Sequence, residues 1–181
     1  GVFSDATHIH KERRIISVGR LYDQKNQTLM INAFADIANK YKDYKLVIFG
    51  EGPLRNSLTE HIANLSLQDR VLLPGRNDNI IEELRKSEIF CLSSDYEGMS
   101  NALIEAVCVG LPIVTTRVSG VDDILEDGVN ALIVPIKSRD RLSDALDNIL
   151  GNDNLRNTFT ANNLQLASKF KLDSLVTEWE E

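Results

Sequence analysis

Basic residues are in deficit: 20 Lys and Arg stand against 27 Asp and Glu, a formal charge of −7 with a pI near 5.0. A surface that neutralises a phosphate backbone needs the opposite sign, so no nucleic-acid partner is expected. Cysteine occurs twice, at Cys91 and Cys108, within apolar runs and without the regular spacing of a disulfide framework. Buried free thiols and a reducing, cytoplasmic compartment are the expectation, and no signal-peptide pattern opens the chain. The longest nearly uncharged apolar stretch, Ala106 to Thr116, contains Gly110 and Pro112 and falls far short of the ~20 residues that cross a bilayer. Three histidines, His8, His10 and His61, form no ligand cluster, and no Asp-x-Asp occurs, so no metal is expected. Internal repeats, low-complexity tracts and Pro- or Ser-rich linkers are also missing.

What remains is ordinary for a globular domain. With 43% hydrophobic and 26% charged residues, 181 residues make one unit with a real core and exclude disordered and fibrous classes. Six short β-rich apolar runs alternate with stretches of helical period: Arg14 to Val18, Lys45 to Phe49, Arg70 to Leu73, Ile89 to Leu92, Pro112 to Thr115 and Ala131 to Val134. Their near-continuous hydrophobicity suits strands buried on both faces. Between the first two, Met30, Ala33, Phe34, Ile37, Ala38 and Tyr41 form one helical stripe that Asn26 or Thr28 could cap. Leu54, Leu58, Ile62 and Leu65 form the next, with Pro53 at the helix start. Further helices are marked by Ile80 and Leu84, by Ala102 to Val107, by Leu142 to Ile149, and by the residues after about Asn152. This alternation predicts a Rossmann-like three-layer α/β/α domain with a parallel six-stranded sheet. Ligands of such folds bind beyond the carboxyl ends of the strands.

Three of those loops hold candidate chemistry. After the first strand, Gly19-Arg20-Leu21-Tyr22-Asp23-Gln24-Lys25-Asn26 places two cations five residues apart on a turn into a helix. Arg offers a fork of donors and Lys a point charge to one phosphate, although two loop cations can also simply be solvated. After the second strand, Gly50-Glu51-Gly52-Pro53 imitates a dinucleotide-binding fingerprint, but Arg55 stands where the third glycine belongs, and two glycines making a tight turn is the better reading. After the fourth strand, Glu97-Gly98-Met99-Ser100-Asn101 leads into a helix that carries Glu105, so two carboxylates bracket a helix N-terminus. Carboxylates accept from sugar hydroxyls and free helix-start amides suit phosphate. The alternative leaves Glu97 solvated and pairs Glu105 with a nearby Lys or Arg.

Arg20 and Lys25, then Glu97 to Ala106, then Gly110-Leu111-Pro112-Ile113-Val114-Thr115-Thr116, Gly120 and Glu126 to Val134 resemble the donor-binding half of the family-4 retaining glycosyltransferases. The resemblance implies half of a GT-B fold: residues 1–13 as the remnant of an interdomain linker, 14–181 as the nucleotide-sugar-binding domain, and the acceptor-binding N-terminal domain outside the chain. It implies transfer of a hexosyl group from an NDP-sugar, by family frequency a UDP-sugar, to a glycan or lipid-linked acceptor bound through the other domain. Location would be cytoplasmic, at the cytoplasmic face of a membrane where the other domain makes peripheral contact. Arg20, Lys25 and Glu97 are the implied catalytic set, with the cations stabilising the diphosphate and Glu97 holding sugar hydroxyls rather than acting as nucleophile. Gly19, Arg76, Asn77, Gly98, Met99, Ser100 and Glu105 are the implied donor-binding set, with Arg76 and Asn77 at the base and Glu105 at the ribose. No metal or other cofactor is implied. Met99 and Ser100 stand where many members have Phe and Pro, and Ser119-Gly120-Val121-Asp122 replaces a more glycine-rich stretch. A nucleotide-sugar epimerase half and a non-catalytic nucleotide-binding domain are the other readings. This fragment alone is expected to be inactive.

Overall fold

The computed structural model describes residues 10–98 and 100–179. In chain order the elements are β1 (Arg14–Val18), α1 (Gln27–Ile37), β2 (Lys45–Phe49), α2 (Arg55–Asn64), β3 (Val71–Gly75), α3 (Ile80–Lys86), β4 (Ile89–Leu92), α4 (Asn101–Cys108), β5 (Ile113–Thr116), α5 (Val121–Ile124), β6 (Ala131–Val134), α6 (Arg139–Leu150) and α7 (Asp153–Trp179). All six strands are parallel, in the order β3-β2-β1-β4-β5-β6. The expected Rossmann-like sheet is therefore present, and its strand order reverses between β1 and β4.

The sheet separates two cores. Ile15, Leu46 and Ile48 face one layer with Phe34 of α1, Leu58 of α2, and Leu142 and Leu146 of α6. Ile16, Phe90 and Ile113 face the other with Leu84 of α3, Leu103 of α4 and Val121 of α5. This accounts for the uninterrupted apolar runs of the inner strands β1, β2, β4 and β5, whose alternate residues are buried on opposite sides, whereas the edge strand β3 exposes Leu72. Each fully buried Leu, Ile or Phe contributes about 1.5–3 kcal/mol relative to exposure. Helix α7 serves both layers: Phe159 is buried in the first, whereas Leu166 and Phe170 pack against the second. Between them Asn163 is fully buried and donates from Nδ2 to the carbonyls of Leu111 and Asn130, at 2.8 and 3.1 Å.

Three local details depart from the sequence pattern. Strand β3 lies at the sheet edge and runs on through Pro74 to Gly75, with a register shift opposite Val47 to Phe49. An edge position with a bulge tolerates the missing N–H of proline. Pro53 lies in a turn before α2, which starts at Arg55 after Leu54. The four-residue α5 is too short to leave a period. Among the described residues no helix is long and apolar enough to cross a membrane.

Candidate functional site

The loops after β1 and β4 diverge at the point where the strand order reverses. Each is shaped by short polar residues that hold the other. Asn26 sits in the left-handed region (φ 44°, ψ 50°) and caps α1 by accepting from the Leu29 amide at 3.2 Å. Its Nδ2 donates to Asp95 Oδ1 at 2.9 Å. Ser93 is fully buried and donates from Oγ to the carbonyls of Lys25 and Asn26, at 3.1 and 2.8 Å. The Asp95 amide donates to the Gln24 carbonyl at 2.9 Å. The two loops thus form one rigid unit.

On that unit Lys25 and Glu97 meet. A 3₁₀ turn over Asp23–Lys25 folds the lysine stem back across Gly19, where a Cβ would touch Lys25 Cδ and Cε at 3.5 Å. Lys25 Nζ is ion-paired with Glu97 Oε1, and both side chains are largely withdrawn from solvent, at 14% and 9% exposure. Ser94 Oγ donates to the other oxygen, Glu97 Oε2, at 2.8 Å. Arg20 is exposed, with its guanidinium 5.0 Å from the centre of the Tyr22 ring, a cation–π contact. Its carbonyl accepts from Gln27 Nε2 at 2.9 Å, and it forms no ion pair among the described residues. One cation of the loop is thus neutralised and the other is open.

Gly19 and Arg20 line a cleft of about 500 Å³ together with Gly50, Glu51, Arg76 and Asn77. Arg76 is exposed beside Asp78, and the Asn77 carboxamide accepts from the Asn79 amide at 2.7 Å, which shapes the loop after β3. Glu51, which the sequence reading did not single out, reaches this cleft clasped by Arg55. Both of its oxygens accept from the guanidinium at 2.8 Å, which holds its carboxyl below the ordinary range. The sequence signal was its i,i+4 spacing to Arg55. The glycines around it make a close approach of main chains: a Cβ on Gly50 would lie 1.9 Å from the Gly19 carbonyl oxygen, and one on Gly52 would lie 2.4 Å from that of Leu21. That packing explains both glycines without a dinucleotide.

Helix α4 begins beside the ion pair. Ser100 is its N-cap, accepting on Oγ from the Leu103 amide at 3.3 Å. The amides of Gly98, Ser100 and Asn101 donate to no acceptor among the described residues. Met99 lies outside the described residues. A Cβ on Gly98 would meet nothing within 4 Å, so no neighbouring group demands glycine there. One turn into the helix Glu105 is half-buried, and burial pushes its carboxyl above the usual range. Among the described residues it has no cation or hydrogen-bond partner, so the pairing with a nearby Lys or Arg is not formed.

The structure therefore gathers Arg20, Lys25, Glu97 and the start of α4 at one end of the sheet and joins Gly19, Arg76 and Asn77 through the cleft. Sequence reasoning missed Asn26 as a tie between loops, and with it Ser93, Ser94 and Asp95. Their only signal was a run of short polar residues after a strand.

Residues 3–165 match the family model described as glycosyl transferases group 1. An N-acetylgalactosaminyltransferase acting on a diphospho-undecaprenol-linked sugar, from Campylobacter jejuni, is 36% identical over 82% of this chain and 40% of its own length. An N-acetyl-alpha-D-glucosaminyl L-malate synthase of Bacillus anthracis is 27% identical over 93% of this chain and 44% of its own. The chain thus spans less than half the length of these relatives. The crystal structure of the C-terminal domain of a group 1 glycosyl transferase protein (LpcC) from Francisella tularensis has the same fold, with a TM-score of 0.80 at 22% identity over 88% of this chain and 87% of that one. The pneumococcal O-GlcNAc transferase GtfA, solved with UDP and GlcNAc, has a TM-score of 0.86 at 24% identity over 98% of this chain and 36% of its own.

Proposed function

Given that the chain belongs to the group 1 glycosyltransferases, we propose that it is the donor-binding domain of a longer, retaining enzyme that moves a hexosyl group from a nucleoside diphosphate sugar, a UDP-sugar, to a glycan or glycolipid acceptor. The observation that carries this reading is the Lys25–Glu97 pair, set across the β1/β4 reversal beside the open Arg20. Cations and a sugar-reading carboxylate stand where such sheets bind ligands.

Breaking the bond between the anomeric carbon and the phosphate oxygen leaves negative charge on the diphosphate. Fixed cations at that point lower the barrier because they need no reorganisation when the charge appears. Arg20 supplies the fork and Lys25 the point charge. The acceptor hydroxyl attacks from the face the phosphate leaves, and its proton passes to the departing phosphate oxygen. Glu97 is therefore free to hold sugar hydroxyls rather than act as a nucleophile. The half-buried Glu105, with no protein partner among the described residues, accepts from ribose hydroxyls. Gly98, Met99 and Ser100 offer main-chain amides at the start of α4. Arg76 and Asn77, which line the cleft with Gly19, hold the base. The reading assigns no metal, since the two cations do the charge work and the sequence has no Asp-x-Asp.

UDP is favoured by the ligand named with GtfA, and a lipid-linked acceptor by the substrate named for the Campylobacter relative. The acceptor, and any contact with the cytoplasmic face of a membrane, belong to a second, N-terminal domain. Without that wall water reaches the site, so the chain alone binds nucleotide weakly and transfers little sugar. Titration of the chain with UDP, GDP, ADP and NAD, followed by NMR, tests the reading. Selective UDP shifts at Arg20, Lys25 and Glu97 to Glu105 support it, and shifts with NAD alone, centred on Gly50 to Gly52, overturn it.

A further inference from the structure

We propose that Glu97 is a discriminating residue that disfavours the spent nucleoside diphosphate relative to the sugar-bearing donor, by competing with phosphate for Lys25. The inference rests on the donor-site reading above and adds a role in product release.

The two cations of the β1 loop are not equivalent. Arg20 is exposed and without an ion pair among the described residues, whereas Lys25 is already bound to a carboxylate in a shielded setting. Both Glu97 oxygens are occupied, one by Lys25 Nζ and the other by Ser94 Oγ at 2.8 Å. Any diphosphate that uses Lys25 must take it from Glu97 or share it, and the Ser94 hydrogen bond and the stitched loops keep the carboxylate from swinging away.

The consequence depends on what the terminal phosphate carries. A sugar interposes hydroxyl groups, which donate to the carboxylate and replace the proton donors that Lys25 withdraws. A bare diphosphate has only acceptor oxygens there and one more ionisable oxygen. Glu97 then loses a donor and faces like charge in a site of low exposure, where such contacts are least screened. One carboxylate thereby rewards the intact donor and penalises the product that remains after transfer.

The test is calorimetric titration of the chain with UDP, UDP-glucose, UDP-N-acetylglucosamine and UDP-N-acetylgalactosamine, for the wild type, Glu97→Gln and Glu97→Ala. The alanine variant removes the same charge without asking an amide to fit between Lys25 and Ser94, so a fold defect in one substitution leaves the other to decide. Cooperative thermal melting identifies the variant to be used. The wild type is expected to bind at least one of these UDP-sugars more tightly than UDP. Loss of the charge should tighten UDP about tenfold, the change given by 1.4 kcal/mol, and abolish the preference for the sugar. Unchanged or weaker UDP binding by a variant that melts like the wild type overturns the inference while leaving the donor site standing. Failure of the wild type to bind any of the four ligands takes down the donor-site reading and this inference together.

Discussion

Asn26 holds Asp95 through Nδ2 at 2.9 Å while its Oδ1 caps α1, so one side chain both starts a helix and fixes the distance between two loops that are 69 residues apart in sequence. Its left-handed backbone (φ 44°) is tolerated because Asn adopts that region more readily than most residues. Asn26→Ala is expected to cost about 1–2 kcal/mol, the usual loss for an N-cap with added left-handed strain. Chemical denaturation measures it. The same variant should weaken diphosphate binding, since Lys25 directly precedes the side chain that ties the two loops together.

Lys25→Ala should weaken binding of a nucleoside diphosphate by roughly tenfold or more, the scale of one charge-assisted contact, and leave nucleoside binding nearly unchanged. Paired titrations with UDP and uridine read the difference. Equal losses would place Lys25 in the fold rather than at phosphate.

Glu105 is held above the usual carboxylate range by burial, with no partner among the described residues to offset it. A raised folded pKa means that the group's contribution to stability is present below its unfolded pKa and is lost as pH rises through the folded one. At neutral pH the ionised carboxylate therefore costs stability. Glu105→Gln should raise the melting temperature of the empty domain by about 1–2 °C and weaken uridine binding. Melting curves near pH 4 and pH 7 should show the gain only at the higher pH.

Cys91 is fully buried in β4, and burial pushes its thiol up to about 12. The thiolate is the reactive form, so Cys91 should resist iodoacetamide at pH 8 in the native domain and react on unfolding. Mass spectrometry of alkylated peptides with and without denaturant reads this directly.

The sequence carried the inner strands because burial on both faces makes each an apolar run, and it carried α1, α2, α4 and α6 because their buried stripes recur at helical spacing. It marked Lys25 and Glu97 separately but not as a pair. Their contact exists because β1 lies beside β4, a pairing of non-consecutive strands that no local pattern encodes. The same reason hid Ser93 and Asp95, whose partners lie at positions 24–26. The sequence pattern marks Arg14 only as the first residue of a strand. It is buried, with Nε donating to Ser87 Oγ at 2.7 Å and Nη2 donating to Glu83 Oε2 at 2.6 Å, a cluster that requires α3 to cover the start of β1.

Gly50 and Gly52 let the loops after β1 and β2 press main chain against main chain, and Gly19 and Gly50 of that contact also line the cleft. A main-chain contact has no rotamers with which to repack, so its spacing follows strand register. A change in which base or sugar the domain accepts should then come from the side chains that line the cleft, such as Arg76, Asn77 and Glu51. A mutational scan would divide along that line, with Gly50 and Gly52 intolerant and those side chains permissive.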